Sequence, residues 1–284
     1  MASTEQTMVC YRHPKAETAV TCSSCGKPIC TDCMVFAAVG IKCPDCAGQA
    51  TGVKKATTRA RSAARDGTGA IVTRTLIAIN VAVFLVQIAE GDLRGVNSEA
   101  YFQGALYGPY VAAGDWWRLV TAGFLHVGPI HLLFNMLMLW WFGGALEALL
   151  GRVRFLAVYF VSILAGSAGA LLLAPDQPTV GASAGVFGIL GAGLVLERRG
   201  INVFGGAALM VVLLNVGLSF VIAQISLGGH LGGLAGGALA ILALSGFGRG
   251  HAAYSRLGFT AIAGLVGVAA GSVAIAYARV RGYA

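Results

Sequence analysis

Residues 181–197 read Gly-Ala-Ser-Ala-Gly-Val-Phe-Gly-Ile-Leu-Gly-Ala-Gly-Leu-Val-Leu-Glu. From Ala182 to Leu196 there is no charge, and the one polar side chain is Ser183. A counterpart lies at 228–244, where Gly-Gly-His-Leu-Gly-Gly-Leu-Ala-Gly-Gly opens a second apolar run with His230 as its polar residue. Polar and ionisable groups within a membrane span are costly and mark function by default. A serine and a histidine on separate spans are the two parts of a nucleophile and its general base.

The rest of the chain sets these runs in a membrane. Of 284 residues 57% are hydrophobic and 11% charged, which excludes a soluble domain of this length and indicates a polytopic membrane protein. Seven apolar segments can be drawn, at roughly 74–90, 130–150, 153–173, 183–197, 202–220, 228–246 and 257–278. The first 50 residues carry no apolar h-region, so no cleavable signal peptide is expected and the N-terminus is expected in the cytosol. With that orientation twelve cations fall on the inner side: Lys54, Lys55, Arg59, Arg61, Arg65, Arg74, Arg152, Arg154, Arg198, Arg199, Arg249 and Arg256. Four fall outside: Arg94, Arg118, Arg279 and Arg281. The net charge of +8 is therefore a positive-inside signal, with the linker 51–70 resting on anionic lipid, and not a nucleic-acid footprint.

Counting from the inner ends places the polar residues in one layer. Ser183 is fourteen residues from Glu197, about 21 Å of helix, and His230 is sixteen from Gly246, about 24 Å. Asn135 is sixteen residues from Gly151, with His131 one turn higher. The segment 174–182, with Pro175 and Pro178, is expected to dip inward and give water access to Ser183, since irregular backbone at such depth must line a buried or wet cavity.

In this layer His230 is the candidate base for Ser183. No Asp or Glu stands near enough in either span to orient it, so a dyad is expected. An acyl-transfer site also needs donors for the oxyanion. Asn135 and His131 share a helix face and can supply them beside the Ser183 N–H. The glycine doublets 228–229, 232–233 and 236–237 make a glycine-lined face that lets this helix press against the Ser183 region. GASAG also satisfies the G-x-S-x-G pattern of the α/β-hydrolases, but the strand that pattern requires is missing before it.

The ordered motifs resemble the rhomboid family of intramembrane serine proteases over about residues 71–284. They are Trp117-Arg118, His126 with His131 and Asn135, GGALEALLG around Glu147, Ser183, and His230 with Gly233 and Gly237. The resemblance implies a six-helix core with one further C-terminal transmembrane helix. It also implies Ser183 and His230 as the dyad, an oxyanion hole from Ser183 N–H, His131 and Asn135, and no cofactor in catalysis. The substrates implied are transmembrane helices cut near their extracytoplasmic end at small residues. Trp117 and Arg118 are expected to be structural, and His126 a loop residue near the site. One departure stands out: the family's Gly-x-Ser-Gly has Ala184 after the serine, with glycine one place later. An inactive rhomboid-like protein that binds membrane helices is the alternative. A transporter is a weaker rival, because internal repeats and matching buried charges are missing.

All seven cysteines lie in the first 46 residues. Cys22/Cys25, Cys30/Cys33 and Cys43/Cys46 are C-x2-C pairs, and Cys10 is completed by His13. Eight ligands suit two structural zinc ions, and a reducing cytosol argues against disulfides. A domain of about 50 residues needs such metal to fold. The alternating spacing resembles B-box zinc fingers, which implies cross-braced ligation: the first and third pairs on one ion, the second and fourth on the other. Sequential pairing is the other arrangement. Arg12, Lys15, Lys27 and Lys42 are offset by Glu5, Glu17, Asp32 and Asp45, which disfavours nucleic acid; docking a cytosolic protein partner, regulating the protease and stabilising the assembly are the roles open to this domain. The fold expected is thus an all-α polytopic membrane protein behind a small zinc-stabilised domain (1–50), and the plasma membrane is its expected location.

Overall fold

The computed structural model describes residues 8–36, 40–48, 70–221, 225–245 and 258–283. The linker 51–69, Gly246, Arg249 and Arg256 lie outside the described residues, as does part of the connection 221–227. The chain divides into two compact units, Met1–Ala56 and Thr57–Ala284.

The first unit is built from turns. Strands β1 (Met8–Val9) and β2 (Glu17–Thr18) pair antiparallel, as do β3 (Val35–Phe36) and β4 (Ile41–Lys42), and a short helix α1 (Pro44–Gly48) follows. Its buried cluster is Cys10, Cys22, Ile29, Cys30, Cys33 and Cys43. Only one of these is an ordinary hydrophobic side chain, so sulfur chemistry must supply what a hydrophobic core normally does.

The second unit is helical. Helix α2 (Ile71–Glu90) is followed by a segment, external in the topology expected from the sequence, with three short helices, α3 (Glu99–Gly104), α4 (Gly108–Ala112) and α5 (Arg118–Thr121). Then come α6 (Gly128–Leu150, with a π-helical stretch at Leu139–Gly143), α7 (Arg152–Leu173), α8 (Ser183–Arg198), α9 (Ala208–Val221), α10 (Leu227–Leu244) and α11 (Phe259–Val280). Among the described residues five helices are long and apolar enough to cross a membrane, namely α2, α6, α7, α10 and α11, the last counted through Tyr283. The remaining two apolar segments form shorter helices, α8 with 16 residues and α9 with 14. α9 begins six residues later than the hydropathy reading placed it. Glu197 accepts hydrogen bonds from the N–H groups of Phe204 and Gly206 (3.1 Å each), and Gly205 and Gly206 adopt positive φ, so this stretch is a capped turn.

Glycine sets the packing of α7, α8 and α10. The doublets on α10 form two tracks where the sequence reading expected one face. Gly228, Gly232 and Gly236 lie against Gly169, Ala165, Gly166 and Ser162 of α7, while Gly233 and Gly237 lie against Ala184 and Gly188 of α8. A Cβ at any of them would collide with main chain or with a neighbouring Cβ. Backbone contact of this closeness is how membrane helices associate without a hydrophobic driving force between them.

Polar ties fix the helix ends. Glu147 is buried and accepts hydrogen bonds from Val72 N–H (2.9 Å), Thr73 N–H (2.8 Å) and the Thr73 hydroxyl (2.8 Å). It caps the first turn of α2, where orphan donors and the helix dipole favour an anion. At the ends of α8 and α10, Arg199 donates to the Ser245 hydroxyl (2.7 Å).

Candidate active site

The external segment is organised by the Trp117–Arg118 pair. Arg118, buried, donates through Nη1 to the carbonyls of Phe102 (2.8 Å) and Ala105 (2.9 Å) and through Nε to Asp115 (2.9 Å). Its guanidinium lies over the Tyr110 ring, and the Trp117 indole donates to Gln103 O (3.0 Å). These bonds all run within the segment and shape it. The segment is stitched to residues 174–182 by a two-bond bridge between Leu106 and Thr179, by Gly108 N–H to Pro175 O (2.9 Å), and by Gly181 N–H to Ala122 O (2.9 Å).

Ser183 is the first residue of α8 and half-buried. Two residues ahead of it Gly181 has φ +129°. A Cβ there would sit 2.8 Å from Cε1 and Nε2 of His131 and 3.7 Å from the Ser183 hydroxyl, so imidazole and hydroxyl flank one face of this glycine. Gly181 is needed both for its backbone angle and for that space. His131 accepts a hydrogen bond at Nδ1 from Val127 N–H (3.3 Å), which leaves Nε2 turned toward the serine side. Asn135, one turn further along α6 and buried, donates through Nδ2 to His131 O (3.0 Å), with a second N–H still to give.

His230 is buried in the first turn of α10, whose N-cap is Ser226, the hydroxyl accepting from Gly229 N–H (3.1 Å). Its ring stacks on Phe187 with centroids 4.0 Å apart and an interplanar angle of 16°. Phe187 is one turn beyond Ser183 on α8, and Gly233, three residues after His230, abuts the Ala184 main chain. Stack and glycine contact bring His230 to the level of the first turn of α8, where Ser183 lies. A cavity of about 30 Å3 adjoins the serine, lined by Ser183, Ala184, Gly166, Gly181, Ser226 and Gly229 among others. That is room for roughly one or two waters.

Three features of this site carry no sequence signal. Phe187 reads as one more apolar residue of α8. The burial of His126 is the second: it lies in the loop ahead of α6 and is fully buried, its ring edge-on to His131 at 5.1 Å, and Gln87 brackets its backbone by accepting from its N–H (3.0 Å) and donating to its O (3.2 Å). The third is the complement of Ala184: its methyl faces Gly166 of α7, where a Cβ would collide with it. The extra methyl beside Ser183 therefore has a place to go.

In the first unit the eight cysteine and histidine groups gather as Cys10, His13, Cys30, Cys33 and as Cys22, Cys25, Cys43, Cys46, with all ligand atoms of each set within 4.8 Å of one another. These are the cross-braced sets, and either could hold a metal ion. Sulfurs 2.3 Å from a tetrahedral ion stand about 3.8 Å apart. Cys25 and Cys43 are at 3.7 Å, and His13 Nδ1 is 3.2–3.9 Å from Cys30, Cys33 and Cys10. A backbone hydrogen bond from Cys43 first, with others from Ser24 and Cys25, draws the Cys22 thiol down to about 6 against the effect of burial. Burial and then the neighbouring thiols Cys10 and Cys30 push Cys33 up to about 11. Against burial, backbone donors also bring the Cys10 thiol down to about 6, so each set holds one thiol that is shifted toward thiolate.

Comparison with known proteins bears on the second unit. Residues 113–247 match the Rhomboid domain family. YdcA of Bacillus subtilis (strain 168) is 42% identical over 134 residues, which cover 45% of this chain and 67% of the relative. The chain belongs to the rhomboid family. It is also 35% identical over 176 residues to Rhomboid protease GluP of Bacillus subtilis (strain 168), and 36% identical over 104 residues to Rhomboid protease AarA of Providencia stuartii. These matches cover 61% and 36% of this chain, but only 34% of GluP and 37% of AarA. With its apolar helices, this rhomboid is an all-α, multi-pass membrane protein behind a small N-terminal unit.

Proposed function

We propose that this rhomboid is an intramembrane serine endopeptidase that cleaves transmembrane helices of other membrane proteins near their extracytoplasmic end. The observation that carries this reading is the meeting of two helix N-termini: Ser183 opens α8, and His230, in the first turn of α10, is stacked on Phe187 one turn beyond it. In the reaction His230 takes the proton of Ser183 Oγ as the oxygen attacks the scissile carbonyl. The developing oxyanion is received by the Ser183 N–H, by Asn135 Nδ2 and by His131. His230 then gives the proton to the leaving amine, and a water from the adjoining cavity, deprotonated by His230, hydrolyses the acyl-enzyme. No metal or cofactor enters these steps.

The inactive, helix-binding alternative draws its support from Ala184, and the space opposite its methyl at Gly166 weakens that support. Labelling of the purified full chain by a fluorophosphonate tests the reading. Wild type should label, Ser183→Ala should not, and His230→Ala should label far more slowly; unlabelled, folded wild type would favour the inactive form.

The N-terminal unit (1–50) holds two structural zinc ions, one on Cys10, His13, Cys30 and Cys33, the other on Cys22, Cys25, Cys43 and Cys46. All eight ligands are protein groups, which gives closed, non-catalytic sites. The unit lies in the cytosol, joined by the basic linker 51–70 to the transmembrane protease domain (71–284) in the plasma membrane, where it docks a cytosolic protein partner.

A further inference from the structure

The last helix is tied to the segment that delivers Ser183. From 174 to 182 the chain is held by the external segment at Pro175, Thr179 and Gly181. Between these ties Asp176, Gln177 and Pro178 face outward and are exposed. Among the described residues, the hydrogen bond that reaches this outward stretch from another element comes from the end of α11: the Tyr283 hydroxyl donates to Asp176 Oδ2 at 2.9 Å, across 107 positions. Arg279, one turn earlier, donates to Leu172 O (3.4 Å). Beneath these bonds Ala276 and Val280 share a core cluster with Leu106 and Val111 of the external segment and Ala168, Ala170 and Leu171 of α7. The outer end of α11 therefore grips both the end of α7 and the segment that runs on to the nucleophile.

We propose that Tyr283 and Asp176 are positioning residues for Ser183. The 174–182 segment is held at Pro175, Thr179 and Gly181 from one side and at Asp176 by α11 from the other, and loss of the α11 tie loosens the turn between Pro175 and Thr179 so that Gly181 and Ser183 shift against His131. This rests on the reading of Ser183 as nucleophile.

The test uses the full-length protein in detergent, with fluorophosphonate labelling resolved into a maximal rate and a probe affinity. Tyr283→Phe and Asp176→Ala should each lower the maximal rate roughly three- to tenfold, as loss of one solvent-exposed hydrogen bond warrants, with probe affinity unchanged. The double variant should be no slower than either single one. Asp176→Asn keeps an oxygen acceptor for the Tyr283 hydroxyl and should label within about twofold of wild type. Labelling of Tyr283→Phe at the wild-type rate, or of Asp176→Asn as slowly as Asp176→Ala, would overturn the proposal. Hydrogen exchange on the same samples gives a readout independent of chemistry: the Thr179 and Gly181 amides should exchange faster in Tyr283→Phe, and unchanged exchange overturns the strap. If wild type fails to label, the protease reading falls while exchange still decides whether α11 holds the segment.

Discussion

Gly166→Ala is the substitution that most directly probes how this site accommodates Ala184. A Cβ at residue 166 would collide with the Ala184 methyl and lie 2.9 Å from Gly229 O. Both neighbours adjoin the proposed dyad: Ala184 follows Ser183, and Gly229 precedes His230. Overpacking of this kind costs about 1–3 kcal/mol, and here relief requires moving α8 or α10. If that strain appears in the approach of Ser183 to His230, fluorophosphonate labelling falls roughly 5- to 150-fold. Ala184→Gly on this background removes the methyl–methyl collision and leaves the Gly229 contact, so about half the loss, on a logarithmic scale, should return. Ala184→Gly alone removes one part-buried methyl and should lower stability by about 1 kcal/mol while labelling stays within threefold of wild type. Gly166→Ala labelling at the wild-type rate, or no recovery in the double variant, would refute the paired-packing argument.

Three further outcomes are expected. Phe187→Ala removes the ring under His230 and should slow labelling roughly 2- to 12-fold, the range of an aromatic stack, whereas Phe187→Tyr should stay close to wild type. Glu147→Ala strands the N–H groups of Val72 and Thr73 and should destabilise the detergent-solubilised protein by about 1–3 kcal/mol per orphaned donor, seen as a lower Tm; Glu147→Gln should fall between. For zinc, the full chain should carry two ions by elemental analysis. Cys10→Ser with Cys30→Ser should lose one, because those residues share a set, while Cys10→Ser with Cys22→Ser should lose both. Two ions lost in the first pair and one in the second would contradict the ligand sets.

How much of this was legible in the sequence depends on whether a residue contrasts with its neighbours. Ser183 and His230 stand out as polar residues in apolar runs, and the C-x2-C pairs announce themselves by spacing. Phe187 gives no contrast, since its role comes from the ring of another helix. Gly166 is one small residue among several on α7, and its significance appears only with Ala184 opposite. The α10 doublets show the same limit: the four-residue repeat is visible, but two adjacent glycine tracks serving two different helices require the partners' positions. The start of α9 was misplaced because hydropathy does not register that Glu197 claims the amides of Phe204 and Gly206.

The site's tolerance to change should therefore be lopsided. Where α7, α8 and α10 meet, main chain touches main chain, and a single added carbon has no rotamer by which to escape. On α6 the opposite holds: Leu133, Phe134, Trp140 and Trp141 are 54–64% exposed and face what lipid would fill, so swaps among apolar residues there leave the packing intact. His131 and Asn135 lie on that same helix, yet they depend on Gly181 and on their own backbone bonds and little on this outer face. The sensitive positions where these helices meet are thus the smallest residues, and the exposed bulky side chains of α6 are among those most open to replacement.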